Sequence, residues 1–176
     1  MGGVQAFTTF DEFLSLPNPP SGHLELHHGE VVLMTLPKRG HQRIQRRMFT
    51  LLTDLARENG VVETEMAFRP TDEHEVWVAD IACVKMDRDQ STADDDYLLG
   101  APDLVVEVLS PSNTVDEIND KMDICLANGC VSFWVVDPKR RLVSVTQGDL
   151  TRQYRASASI PLPEPLAGTI SVADIF

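Results

Sequence analysis

In the run Pro102-Asp103-Leu104-Val105-Val106-Glu107-Val108-Leu109-Ser110-Pro111-Ser112, one carboxylate, Glu107, sits inside an otherwise apolar, strand-like stretch. An ionised carboxylate left unpaired in such a place costs several kcal/mol even after relaxation, so Glu107 needs a cation, a base or a metal. A second isolated acid, Asp80, stands in another apolar run, Trp77 to Val84. With period-two alternation Asp80 shares a face with Val78 and Ala82, and Glu107 shares one with Val105 and Leu109. On adjacent strands in suitable register the two acids point the same way and make a divalent-cation site. Mg²⁺ takes one or two carboxylates together with several waters, and such an ion neutralises a scissile phosphate. The alternative for either acid is a salt bridge to a nearby arginine or a strand end reaching solvent.

The elements that must position these acids follow from spacing. A short helix is expected over residues 8–16, capped by Thr8 or Thr9 and ended by Pro17-Asn18-Pro19-Pro20, as an N-terminal lid. A hairpin of residues 24–27 and 31–36 turns at His28-Gly29, and its first strand carries Glu25 and His27 on one face. A helix over 41–59 has Ile44, Met48, Leu51, Leu52 and Leu55 at helical spacing, with Gly60 as its stop and Arg43, Arg46 and Arg47 opposite. Strands follow at 61–68, 76–84 and 104–109, then a helix at 114–128 and a strand at 132–136. The second helix opens on a capping box, Thr114 with Glu117, and has Val115, Ile118, Met122 and Cys125 as its apolar stripe. Lys121 borders that stripe, so its stem can lie along the sheet while its ammonium reaches the ends of neighbouring strands. A hairpin through residues 137–140 into 142–146 and a Pro-rich stretch to Phe176 close the chain.

The length of 176 residues fits one domain spanning 1–176. A net charge of −12 argues against a general nucleic-acid coat protein, though it leaves room for a local basic patch. Cys83, Cys125 and Cys130 lack zinc-ligand spacing and form an odd set, which points to buried reduced thiols. The N-terminus has no charged leader with an apolar segment, and no apolar run reaches the roughly 18 residues of a membrane span. A soluble, cytoplasmic protein is the expectation.

Glu25, Gly29, His41, the Val-Ala-Asp80 run, residues 102–112, Lys121, Gly129 and Phe133-Trp134-Val135-Val136-Asp137-Pro138 together resemble the Uma-type family of restriction-endonuclease-like nucleases. The likeness covers nearly the whole chain and is most specific over residues 102–138. It implies the PD-(D/E)xK fold, an α/β architecture with a central mixed sheet flanked by helices, here with an N-terminal helix and hairpin added. It implies Asp80 as the first metal-binding acid and Glu107 as the second. Leu109 occupies the usual lysine position two residues after Glu107, and the likeness offers Lys121 on the following helix instead. Ala79 replaces the usual proline, and Cys125 replaces the usual aromatic.

The expected function is a Mg²⁺-dependent endonuclease, with Mn²⁺ as a substitute, acting on the phosphodiester bonds of nucleic acid. Asp80, Glu107 and the carbonyl of Val108 would bind the metal, and Lys121 would orient water or stabilise the transition state. Glu25 is either a further acid of the site or a partner for an arginine. His41 is either a packing histidine or a proton-transfer group. Asp94, Asp95 and Asp96 read as a solvated loop, and Arg43, Arg46 and Arg47 as phosphate contacts or a solvated face. The competing expectation is a catalytically silent, dimeric binding module of the same fold; a homodimer is expected in either case.

Overall fold

A computed structural model describes residues 7–176. Residues 1–6, on which the expectation of no targeting leader falls, lie outside the described residues. In chain order the elements are α1 (Phe10–Leu14), β1 (His23–His27), β2 (Glu30–Met34), α2 (Arg39–Ala56), β3 (Gly60–Arg69), β4 (Trp77–Lys85), α3 (Met86–Ser91), β5 (Leu98–Leu99) and β6 (Leu104–Val108). There follow α4 (Val115–Ala127), β7 (Ser132–Asp137), β8 (Leu142–Gln147), β9 (Leu150–Arg155), β10 (Ser159–Pro161), β11 (Thr169–Ser171) and α5 (Val172–Ile175). Seven strands form one mixed sheet in the order β5–β3–β4–β6–β7–β8–β9. The pairs β3/β5 and β6/β7 are parallel and the rest antiparallel, so the sheet is mixed as expected. Parallel neighbours need a crossover, and α4 supplies it between β6 and β7.

Helices cover both faces of the sheet. Ile44, Met48, Leu52 and Ala56 of α2 recur at fourfold spacing and bury against Ile81, Cys83, Val106 and Trp134. On the other face Cys125 of α4, with Ile118 and Met122, packs on Ala82, Val105 and Phe133. Val115, expected in that stripe, is exposed at the first position of the helix. The capping box of Thr114 and Glu117 forms as expected.

Three further expectations change. The helix over 41–59 spans Arg39–Ala56 instead, ending where Arg57 takes a φ of +49°. Gly60 therefore does not stop the helix; it opens β3, where a Cβ would come within 2.8 Å of Pro165 and of the Val84 carbonyl. The N-terminal helix caps a small cluster of Phe13, Leu26 and Val76, separate from the two main cores. The closing stretch is structural: Ile160, Leu166, Ile170, Val172 and Ile175 belong to the core under α2. Asp94, Asp95 and Asp96 lie exposed in a turn, as expected, although α3 and β5 flank it. Among the described residues no helix is long and apolar enough to cross a membrane.

The β1–β2 hairpin is tied to the sheet by a bridge between Leu26 and Val76, and by its turn. His28, at φ +51°, donates its backbone N–H to Glu75, while its ring meets Glu75 at 2.9 Å on one side and Asp120 of α4 at 2.9 Å on the other. Partial burial pulls the His28 pKa down, but the two carboxylates outweigh it, and the net shift is upward. A histidine with a raised folded pKa contributes stability that is full below its unfolded value, about 6.5, and is lost as pH rises through the folded value. His28→Asn keeps a residue that tolerates positive φ. Its melting temperature should therefore fall below wild type at pH 6, with the gap closing by pH 9. A gap that is constant with pH would show that the ring's charge plays no part.

Candidate functional site

The ladder between β4 and β6 runs through Cys83↔Leu104, Ala82↔Val105 and Ile81↔Val106, and there it ends. The next residues along are Asp80 and Glu107. Strict alternation would put Ala79 and Ala82 on opposite faces, yet both pack on the α4 side, while Ile81 and Cys83 pack under α2. The alternation thus breaks at Asp80. Opposite it on β3, between the pairs Met66↔Ala79 and Thr64↔Ile81, Glu65 adopts a φ of +54°. The expected shared face of Val78, Asp80 and Ala82 does not form. In its place the Asp80 carboxylate lies where the strands part: its Oδ2 accepts the Val108 backbone N–H at 2.7 Å. The same oxygen meets His41 Nε2, from the first turn of α2, at 2.9 Å. Gln45 of α2 donates to the Asp80 carbonyl and to the Glu65 carboxylate, which ties the kinked pair to the helix.

Glu107 and Lys121 meet on the other side of the gap. Lys121 Nζ is 2.7 Å from Glu107 Oε1 and donates to the Val78 carbonyl at 2.6 Å. Lys121 and Glu107 are only 6% and 8% exposed. The sequence places the lysine stem on the sheet correctly, but the ammonium ends inside the protein. Burial, and then the Asp80 charge, raise the Glu107 pKa against the pull of Lys121. For Lys121 burial acts downward, and Glu107, Glu25 and Asp80 more than reverse it, so the lysine stays charged.

Glu25 of β1 is 2% exposed, and its oxygens meet three donors. Oε1 meets His23 Nε2 at 3.0 Å; Oε2 meets His27 Nε2 at 2.9 Å and accepts the Val78 N–H. His27 in turn stacks on Trp77 with ring centres 3.6 Å apart. Burial acts to raise the Glu25 pKa, but the two imidazoles and Lys121 dominate and hold it down at about 2. Of the two readings open for Glu25, pairing with an arginine is excluded by these contacts.

Glu25, His41, Asp80, Glu107, Val108 and Lys121 line one cavity of about 960 Å³. Arg43 and Arg47 reach its wall, joined by Lys38 and by Arg141 from the β7–β8 turn; Arg46 is not among the lining residues. The ion pairs of Lys and Arg among the described residues involve Lys85, Arg88, Lys121 and Arg140, so these four wall cations have no carboxylate partner there. His23, Gln45 and Glu65 were not singled out from sequence. The spacing His23-x-Glu25-x-His27 places all three on one face of a strand, a signal that could have found the first of them.

The donor set fits a hard divalent cation. Asp80 and Glu107 each have one oxygen in the contacts above, and their second oxygens accept no hydrogen bond among the described residues. Among those residues no three His, Cys, Asp or Glu side chains form a ready-made metal cluster. A cation here would rest on two carboxylates, the Val108 carbonyl and water, the set that suits Mg²⁺.

Comparison with known proteins supplies the family. A crystal structure described as that of "a putative nuclease belonging to DUF820" from Anabaena variabilis superposes with a TM-score of 0.81, at 23% identity, over 96% of this chain and 97% of that one. At that identity the likeness establishes the fold. No curated protein matches the chain. The sequence pattern of the Uma2 family, described as "Putative restriction endonuclease", matches residues 10–174. The chain belongs to the Uma2 family of restriction-endonuclease-like proteins.

Proposed function

We propose that the protein is a Mg²⁺-dependent nuclease, with Mn²⁺ able to substitute, that hydrolyses phosphodiester bonds of nucleic acid in the 960 Å³ cavity. The observation that carries this reading is the meeting of Asp80, Glu107 and Lys121 at the point where β4 and β6 part, beneath a wall of cations without carboxylate partners among the described residues. Asp80, Glu107 and the Val108 carbonyl would hold the metal, which when bound supplies charge neutralisation at the phosphate and a more acidic water. Lys121 has three N–H donors. Two are engaged by Glu107 and the Val78 carbonyl, which leaves the third for the attacking water or a phosphoryl oxygen. Held protonated, the lysine is a donor and not a base, and its charge opposes the negative charge that builds on phosphorus. Lys38, Arg43, Arg47 and Arg141 would hold flanking phosphates. The proposed site is complete within one chain, so the expected homodimer is not needed for it.

Three outcomes test the reading. Millimolar Mn²⁺ should raise the melting temperature of the wild type by mass action and leave that of Asp80→Asn unmoved; an equal shift in both would remove the metal from this place. Lys121→Met should lower cleavage of nucleic acid by ~10²-fold or more. Because it leaves Glu107 buried without its cation, it should also destabilise the fold by up to about 3–5 kcal/mol. Lys121→Arg, which keeps a cation beside Glu107, should retain most of the stability and little of the activity. Activity that is retained together with stability would reduce the lysine to a structural role. Arg43→Gln and Arg47→Gln should each flatten the salt dependence of single-stranded oligonucleotide binding, by about one unit of log–log slope for every phosphate the arginine neutralises. Arg46→Gln should leave it nearly unchanged, and identical slopes in all three variants would return these arginines to solvent.

A further inference from the structure

His23 stands at the start of β1 and lines the same cavity as Asp80, Glu107 and Lys121. Its Nε2 is fixed at 3.0 Å from the buried Glu25, whose other oxygen is held by His27 and the Val78 N–H. Nδ1 of His23 has no protein partner among the described residues, and the side chain is 37% exposed. A carboxylate that clamps one imidazole nitrogen while the other is left without a protein partner, on a residue lining the cavity, is an arrangement that orients a histidine and stabilises its protonated form. Glu25 uses one oxygen, Oε2, to anchor β1 to β4 through the Val78 N–H and to hold His27, and its other oxygen, Oε1, is directed at His23.

We infer that His23 is the general acid of the site, donating the Nδ1 proton to the oxygen that leaves phosphorus, with Glu25 as its positioning residue. The inference rests on the nuclease reading. In the step, a bond forms from the water oxygen to phosphorus. The bond from phosphorus to the leaving oxygen breaks, and its electron pair goes to that oxygen. The imidazolium proton moves from Nδ1 to the same oxygen, so an alcohol departs. The water's proton passes to solvent, and solvent reprotonates the imidazole. The charged groups around His23 suit proton donation. Glu25 first, through its hydrogen bond, and then Glu65 favour the imidazolium, against burial and Lys121. An imidazolium favoured by these carboxylates can donate, and Lys121 is not required for that transfer.

The test uses two leaving groups. A sugar alkoxide needs a proton to leave, whereas p-nitrophenolate does not. Wild type, His23→Asn and His23→Gln, checked by thermal melt, are assayed with Mg²⁺ or Mn²⁺ on an oligonucleotide and on the p-nitrophenyl ester of thymidine 5′-phosphate. Loss of a general acid should lower oligonucleotide cleavage by ~10²-fold or more and ester cleavage far less, so that the ratio of the two rates changes by at least about tenfold. In wild type the oligonucleotide rate alone should fall as pH rises through the His23 titration, an outcome readable even where the variants fail to fold. Equal losses on both substrates, or no loss on either, would overturn the inference and leave the nuclease reading in place. Wild type that cleaves neither substrate would overturn that reading and this inference with it.

Discussion

Glu107 and Lys121 meet at 2.7 Å in a place where neither could sit alone. Moving either charge out of water costs several kcal/mol, and a buried ion pair seldom repays that cost in stability relative to apolar residues of the same size. The pair instead sets geometry. Lys121 comes from α4, Glu107 from β6, and the lysine's second bond goes to the Val78 carbonyl of β4. One ammonium therefore fixes the distance between two strands and a helix at the point where the strands stop pairing. The capping box at Thr114 holds the beginning of α4, and its Cys125 stripe holds the rest, so the lysine's reach is defined before its charge is considered.

The gap that the pair spans is made by β4 itself. Had the strand kept its alternation, Asp80 would project with Ala82 toward α4 and the Val108 N–H would pair along the ladder. With the break at Asp80, the carboxylate takes that N–H for itself and turns to the His41 side of the sheet. The neighbouring strand accommodates the break through Glu65 in the left-handed region, a conformation that costs a non-glycine residue about 1–2 kcal/mol. Gln45 bonds to both partners of the distortion and lessens its effect. Strain and buried charge thus meet at this end of the sheet, while at the other end a buried acid, Asp103, is held by Arg88 and by the Lys85 N–H.

Much of this is legible from residue order. An acid inside each of two apolar strands, a capping box, and a lysine at the edge of a helical stripe are enough to bring Asp80, Glu107 and Lys121 to one place, and the structure unites them. The alternation break is not legible, because period-two reasoning assumes the regularity that Asp80 interrupts. Gln45 and Glu65 escape for a related reason: each is unremarkable in its own element and acquires meaning only where α2 crosses β3. The closing stretch reads only as Pro-rich because its apolar residues are spaced by prolines and turns, and their common destination under α2 is a tertiary fact.

The charge distribution connects the fold to its use. The protein carries a net charge of −12, which by itself repels polyanions. Of its fifteen Lys and Arg residues, five line the cavity: Lys38, Arg43, Arg47, Lys121 and Arg141. Four of these come without a carboxylate partner among the described residues, as do most cations elsewhere on the chain; Lys121 pairs with Glu107. Opposite signs are thereby separated within one concave surface, with acids at the base and cations on the wall. In a recess with low-dielectric walls such an arrangement focuses the field. On the proposed nuclease reading, a phosphate chain would be drawn to that wall, which leads to the two carboxylates. The acidic balance of the chain then sharpens where a polyanion can settle.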